Sequence, residues 1–568
     1  MSLENKIEEL KEIVSKYDLE SFAGFFAFFL KKRPDSSSEI KLNKFKSKFK
    51  DFFYLIALHA FSDNKKGDEI FELSEKLIGE LAERVNAIKD YNLEESSSDY
   101  TLESVIHEMA YRSHFDNGVL SYVEQDLERI KTIFHPFEKK INDDFGLDIH
   151  FLVEIYKHIE LISINRFNEV TEFLQTKEFI EFNRRTQEKE ISFSEAFILL
   201  PKKTQESFSS FQLKPHTFLM FTKEDLYLTF SKEKVDKFLK LFSCEPNPNI
   251  NFNYYTEDNP FELKPILKLS DNNYLNLFQK QIPVAIYRHL YSHLLKDKKL
   301  YNKIRKHREN SLERKTIEIF KSIFPSKGSF FYENYYILNN FEQDLLIIYK
   351  GHAIIVESKA SKLREPFRNV EKAVTRLKND FKSSIQYGYD QCKRVEDYFL
   401  GSETFSIKDN KNRVLFKVNP NKIHSVYSIV VTLERFGNLQ TDLGLMLQKN
   451  DKKKYPWSVY INDLEIFFLT LKYHTSNSLN NLFSFLKLRR EMHNHLYAID
   501  ELDICAAFIR SPKKFKKFTK MNDTLLSFSP LEQELFDQYY YAGKLQFKEQ
   551  PLPDDFLKLG IEKMGSRS

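Results

Sequence analysis

Residues 341–361 read FEQDLLIIYKGHAIIVESKAS. Two apolar runs, Leu345–Tyr349 and Ala353–Val356, flank Lys350-Gly351-His352. Each run has the length and branched-residue content of a β-strand, and Lys-Gly suits a two-residue hairpin turn. With Lys350-Gly351 at the turn, Tyr349 pairs with His352, and counting outward sets Asp344 opposite Glu357. Directly opposed side chains share a face, about 4.5–5.5 Å apart at Cβ. Alternation puts Lys359 on the face of Glu357 and turns Val356 and Ser358 the other way.

Two facing carboxylates repel unless something compensates. A divalent cation between them removes that cost, and Mg²⁺ takes one or two carboxylates together with waters and a phosphate oxygen. A lysine two residues past Glu357 can hold a phosphate or orient an attacking water. The bare pattern Asp-x₁₂-Glu-x-Lys is weak, because a sheet rim of solvated charges produces it too. On a hairpin whose other positions are nearly all apolar, it points to phosphodiester chemistry.

The stretch resembles the active-site hairpin of the PD-(D/E)xK nuclease superfamily, the restriction-endonuclease-like fold. The resemblance implies that Asp344 and Glu357 bind Mg²⁺ or Mn²⁺ and that Lys359 serves the nucleophile. Gln343 stands where the motif has its Pro, a letter that varies widely in the superfamily. Upstream, SLERKTIEIFKSIFP (Ser311–Pro325) reads as a helix with Glu313, Ile317, Phe320 and Phe324 on one face and Pro325 at its end. Superfamily members commonly carry a Glu on this helix that reaches the metal site. Glu313, on the apolar stripe, is the expected residue, and Glu318 lies opposite it. Downstream, Asn379–Leu400 reads as a helix carrying Gln386 and Gln391. Many members hold a Gln there near the nucleophilic water, and Gln391 in YDQCKR is the expected one. Lys362, Arg364 and Arg368 follow the lysine strand directly and are candidates for contacts to a nucleic-acid backbone. The resemblance covers roughly residues 305–450.

Composition bounds the rest. A chain of 568 residues has room for two to four domains, and 42% hydrophobic residues support real cores. A net charge of only +4 confines any nucleic-acid surface to a local patch. Cys244, Cys392 and Cys505 are far apart and form no CxxC, which fits a reducing cytoplasm and argues against a zinc knuckle. MSLENKIEELKEI is a charged helix start and not a signal peptide, and no early apolar run reaches the roughly 20 residues that span a bilayer. There is no P-loop, GxSxG or HExxH, so an ATP-driven helicase-nuclease is not expected.

Residues 1–240 read mainly as helices, near 3–17, 20–32, 43–62, 68–91, 102–113, 119–134 and 150–175, with loops at Ser36–Ser38 and Ser96–Ser98. Thr217–Thr222 and Leu226–Phe230 read as short strands. The Pro- and Asn-rich 243–261 reads as a domain boundary. A hairpin turning at Asp271-Asn272-Asn273 follows, then a long helix over Gln279–His307. Lys296 to Lys327 holds eleven Lys/Arg against four Asp/Glu, a solvated helix face or a phosphate-binding one. Lys422–Leu433 is a buried strand. Trp457–Leu471 reads as a helix whose start carries Asn462-x-x-Glu465. Asp500, Glu501 and Asp503, near His493 and His495, read as a surface loop. Lys513, Lys514, Lys516 and Lys517, interleaved with Phe515 and Phe518, read as a small basic-aromatic patch.

The expected architecture is an α/β nuclease core, a central mixed sheet flanked by helices, over 301–450. A mainly α N-terminal domain (1–240), a lead-in segment (241–300) and a helical C-terminal extension (451–568) surround it. The expected activity is Mg²⁺-dependent endonucleolytic hydrolysis of phosphodiester bonds in the cytoplasm. DNA is the expected substrate by resemblance, and bacterial restriction or phage defence the expected setting. The N-terminal domain is open to a role in homo-oligomerisation or partner binding. Two other readings stay open: a nucleic-acid-binding protein with an inactive nuclease fold, and a helical scaffold or adaptor.

Overall fold

The computed structural model describes residues 2–550, apart from 32–40, 65–66, 73, 95–100, 117–120, 338–340, 365–369, 451–452, 475–476 and 522–523. The loops expected at Ser36–Ser38 and Ser96–Ser98 lie outside the described residues. The chain is mixed α/β and divides into two units. One holds Met1–Glu95, Asn117–Asp297 and Phe547–Ser568, the other Ser96–Asp116 and Lys298–Gln546.

The first unit is mostly helical. Leu3–Val14, Leu19–Lys31, Lys48–Phe61, Glu75–Glu94, Val123–Phe134 and Ile149–Val170 are helices close to where the apolar spacing predicts them. Phe22, Phe26, Phe52 and Phe53 are fully buried, with the rings of Phe26 and Phe52 4.7 Å apart. A small four-stranded sheet joins them, including the hairpin of Ile266–Lys268 and Asn273–Asn276.

The Pro- and Asn-rich 243–261 is not a boundary. Phe252 and Tyr255 are buried in this unit, the Tyr54 hydroxyl donates to Asn253 O at 2.8 Å, and the Tyr255 hydroxyl donates to the buried Asp51. The composition marked irregular backbone, whereas the segment that begins at Asn117 stays in the unit as far as Asp297. Leu226–Phe230 is not a strand either. Thr222 caps the helix Lys223–Tyr227 in a reciprocal box with Asp225, so Lys223-Glu224-Asp225 is a first helical turn.

The second unit is built on a seven-stranded mixed sheet. Its strands are β1 (Ser329–Tyr336), β2 (Glu342–Tyr349), β3 (His352–Lys359), β4 (Phe405–Lys408), β5 (Val414–Val418), β6 (Ser425–Thr432) and β7 (Trp457–Tyr460), in the order β7-β6-β3-β2-β1-β4-β5. β3, β6 and β7 run parallel, and the remaining neighbours are antiparallel. The helices are α1 (Leu102–Phe115), α2 (Tyr301–Ile323), α3 (Val370–Phe381), α4 (Tyr387–Leu400), α5 (Ile461–His474), α6 (Ser478–Arg489) and α7 (Glu501–Arg510).

Helices cover both faces of the sheet. On one face the Cys392 thiol of α4 lies 3.9 Å from Ile355 O and 3.7 Å from Ile429 O. On the other, Ser358 Oγ donates to Thr316 Oγ1 of α2 at 3.3 Å, and Phe320 of α2 packs edge-on against Phe468 of α5. Covered on both sides, β2 and β3 read as near-continuous apolar runs.

Three elements differ from expectation. The helix read over Gln279–His307 is two, Gln281–Lys296 and α2, broken where Asp297 is extended. Trp457–Tyr460 is a fully buried strand, and α5 starts directly after it, so Asn462 is already helical. α3 and α4 are joined by one π-helical stretch, Lys382–Gln386, inside what reads in sequence as a single helix. The sheet core therefore runs past residue 450 into the C-terminal segment.

Candidate active site

The hairpin turns at Lys350 and Gly351, whose φ angles are +46° and +80°. Two successive positive φ values make the primed turn that matches strand twist, and Gly351 supplies one without steric cost. The register follows: Tyr349 pairs with His352 and Leu345 with Val356. One step further, the Asp344 N–H donates to Glu357 Oε1 at 3.4 Å, and the Ser358 N–H donates to Asp344 Oδ2 at 2.6 Å. Lys359 Nζ lies 2.9 Å from Glu357 Oε2 and 3.8 Å from Asp344 Oδ2. The two carboxylates and the ammonium form one cluster at the end of the strands.

Burial sets the electrostatics. Glu357 is completely buried, and burial first, then the Asp344 charge, pushes its carboxyl up to about 8. Asp344 is raised as well, chiefly by burial. Burial works to lower Lys359, but the carboxylates of Glu357 and Asp344 outweigh it and raise the ammonium. The cluster thus keeps its lysine charged and holds a proton on the carboxylate pair near neutrality.

The start of α4 closes over this cluster. A Cβ at Gly388 would meet Val430 Cγ1 at 2.8 Å, so glycine lets the helix approach β6 and lie against the Lys359 stem. The half-exposed Tyr387 ring lies 5.6 Å from Lys359 Nζ. Gln391 is buried on the next turn, and its Oε1 has no hydrogen-bond partner. Gln386 is committed elsewhere: its amide exchanges hydrogen bonds with the backbone of Gln448.

Glu313 sits at the margin of the buried face of α2. Burial, and after it the Asp344 charge, raises its carboxyl, while Glu318 is exposed. The buried stripe itself runs through Ile304, Arg308, Leu312, Thr316 and Ile319, so Glu313 and Ile317 flank it and do not lie within it. Sequence reasoning passed over Lys306. Its ammonium opposes the rise in both Glu313 and Asp344. The signal was present, since positions seven apart share a helix face. It also missed Arg308, buried and donating to Ala360 O and to Glu434, which ties α2 to the strand ends. Tyr335 was missed too; it is fully buried with its hydroxyl unpartnered, and its acidity is suppressed by burial and by Glu357.

The basic candidates separate. Lys362 is exposed. Arg364 is held by Asp380, with Nε and Nη2 donating to Oδ1 at 2.9 and 2.6 Å, and its guanidinium is thereby occupied. Arg368 lies outside the described residues.

The carboxylates near residue 500 are not a surface loop. Asp500 caps α7 in a box with Asp503, and both are buried with Glu501. Arg489 forks onto Glu501 at 2.8 and 2.9 Å, the Trp457 indole donates to the same carboxylate, and Arg435 bridges Asp463 and Asp500. Burial and Arg489 push His493 down to about 4, so it is neutral and accepts from the Leu443 N–H. This is a buried charge network, not a ligand set. In the basic-aromatic patch Phe515 is fully buried and Phe518 half-buried, while Lys513, Lys514, Lys516 and Lys517 face solvent.

Among the described residues no group of three or more His, Cys, Asp or Glu side chains is arranged to hold a metal ion, and no helix is long and apolar enough to cross a membrane. The Asp344–Glu357 pair offers two carboxylates, an all-oxygen set that suits a hard cation completed by water and phosphate. On α4, the buried Gln391 Oε1 is an acceptor without a partner. The residues therefore fit Mg²⁺ in type and in number of protein donors. Comparison with known proteins finds no match: no family model, no curated protein and no solved structure is similar to this chain.

Proposed function

We propose that this chain is a metal-dependent nuclease that hydrolyses phosphodiester bonds, with DNA the favoured substrate. The observation that carries the reading is the cluster of Asp344, Glu357 and Lys359. A fully buried carboxylate, Glu357, and a partly buried one, Asp344, face one another with an ammonium 2.9 and 3.8 Å from them. A fold gains nothing from burying two like charges side by side unless something uses them.

In this reading Asp344 and Glu357 would hold the cation, with Glu357 deprotonated. The cation would supply Lewis-acid polarisation of the phosphoryl group and acidify water. Lys359, fixed by its two carboxylates, orients the attacking water and stabilises the negative charge that grows on the phosphoryl oxygens. Gln391 Oε1 accepts a hydrogen bond from that water and fixes its direction. Glu313, raised toward neutrality, takes part at the edge of the site by accepting a proton or through a bridging water. Lys306 and Lys362 offer positive charge to the flanking phosphates.

Incubating the chain with circular and linear DNA, with and without Mg²⁺, tests the reading. Mg²⁺-dependent cutting that disappears in Glu357→Ala is expected. Intact DNA at every metal concentration, with RNA also uncut, overturns it.

A further inference from the structure

Away from the carboxylate cluster, the sheet leaves aromatic rings in water. Phe330 on β1 is 52% exposed and Phe416 on β5 is 40% exposed. Their rings are stacked, with centroids 6.1 Å apart and planes 16° from parallel. Tyr332 extends the stack, 5.8 Å from Phe416. β5 is the edge of the sheet, and its residues Val414 to Lys417 are exposed in succession. Clustered exposed rings of this kind mark a surface that meets a partner.

Charge identifies the partner. Residues 405–424 carry five Lys/Arg against one acid, an excess as large as that of the whole chain. The acid, Asp409, is taken by Arg413 at 2.6 Å. Lys411 and Lys422 are exposed at the two ends of β5, and their ammonium groups have no carboxylate partner among the described residues, whereas Lys417 neighbours Phe416 on the strand and turns to the opposite face. A second copy would set this positive strand against itself, which like-charge repulsion disfavours. A duplex keeps its base faces stacked inside. Flat rings on a strand with a lysine beyond each end suit unstacked bases lying on the aromatics while phosphates meet the lysines.

We propose that Phe330, Tyr332 and Phe416, with Lys411 and Lys422 at the two ends of β5, form a binding platform for single-stranded nucleic acid. It is distinct from the carboxylate cluster. Phe330 pairs with Ile348, four residues along β2 from Asp344, a separation of roughly 13 Å. The platform binds whether or not the other site cuts.

Fluorescence anisotropy with a labelled oligothymidylate, in EDTA so that no strand is cleaved, reads this directly on the full chain. The wild type should bind it more tightly than a duplex of mixed sequence. Phe416→Leu, which keeps an apolar side chain but removes the ring, should weaken binding about tenfold, and Phe330→Ala/Phe416→Ala further still. Lys411→Glu/Lys422→Glu should weaken binding and flatten its salt dependence. Unfolding curves that match the wild type show that the fold survives these changes. The proposal falls if the wild type does not bind, if the ring variants bind as well as it does, or if the chain is a dimer that Phe416→Leu dissociates. Ring-dependent binding without any Mg²⁺-dependent cutting would remove the nuclease reading and leave the platform standing.

Discussion

Lys359 and Glu357 point the same way from one strand, two residues apart, with Nζ 2.9 Å from Oε2, while Asp344 completes the group from the neighbouring strand. One ammonium balances one carboxylate. The second carboxylate, in a buried place, needs a proton or another cation. The site is therefore electrically incomplete as the chain alone builds it, and the following expectations rest on that.

The first concerns pH. Glu357 has an ordinary value of 4.5 and a folded value of about 8, so the folded state binds the proton more tightly. Its contribution to stability is complete below the ordinary value and is lost as pH rises through the folded one. Metal-free protein should melt progressively lower between about pH 5 and 8, and Glu357→Gln should flatten that slope. Mg²⁺ competes with the proton, so its stabilising shift should grow over the same range. A larger Mg²⁺ shift at the acid end than at the alkaline end contradicts this.

Lys359→Ala should separate chemistry from binding. Loss of one group that stabilises transition-state charge costs about 10² to 10³ in rate. Nucleic-acid affinity is shared among many cations and should hardly move. Asp344 and Glu357 remain, so the Mg²⁺ melting shift should persist, whereas Glu357→Ala should lose it along with cleavage. Wild-type cutting by Lys359→Ala would end the catalytic assignment.

Glu313 and Glu318 occupy different faces of α2. Glu313 is raised by burial and by Asp344, and Glu318 is exposed. Glu313→Ala should slow cleavage by about tenfold or more, the scale of a positioned acid–base or electrostatic group. Glu318→Ala should cut at the wild-type rate. The opposite ranking in a single-turnover assay would assign the role to the wrong carboxylate.

Lys362 and Arg364 should behave differently despite their proximity. Lys362→Ala should weaken nucleic-acid binding and lower the salt slope by about one. Arg364→Ala should instead lower the melting temperature, because it strands the mostly buried Asp380. Salt titrations and melting curves on both variants would show whether Arg364 contacts phosphate after all.

Arg489 is buried and forks onto the equally buried Glu501. Removing one partner of such a pair leaves an uncompensated charge and costs about 3–5 kcal/mol. Arg489→Ala should unfold at markedly lower denaturant than Lys513→Ala, which removes an exposed charge. Equal midpoints would show that the network carries no stability.

The hairpin could be read from sequence because everything needed is local. Lys350-Gly351 fixes the turn, and the turn fixes which residues oppose each other. The position of Glu313 on its helix was legible because helical spacing places it near an apolar face, though the phase was off by about one position. The network of Arg435, Asp463, Arg489 and Glu501 left no such trace. Its members come from separate elements, and each looks like a solvated charge until they meet. Trp457–Tyr460 was hidden for a related reason, since four buried residues running straight into a helix show no alternation. The 243–261 stretch misled because proline and asparagine report on backbone irregularity and say nothing about which unit buries the neighbouring aromatics.

α1 belongs with the sheet unit although it precedes the sheet in sequence, and Ile106 on it packs with Leu377 of α3 and Leu439. At 5–20 residues per second, the ribosome delivers Leu377 on the order of tens of seconds after Ile106. Through that interval α1 emerges with its apolar side unanswered, while the first unit gathers the residues made before and after it. The order of synthesis and the order of assembly therefore differ in this chain. A shortened chain beginning at Lys298 would lack α1 and leave Leu377 and Leu439 without it, so the sheet unit cannot be passed on as one contiguous cassette.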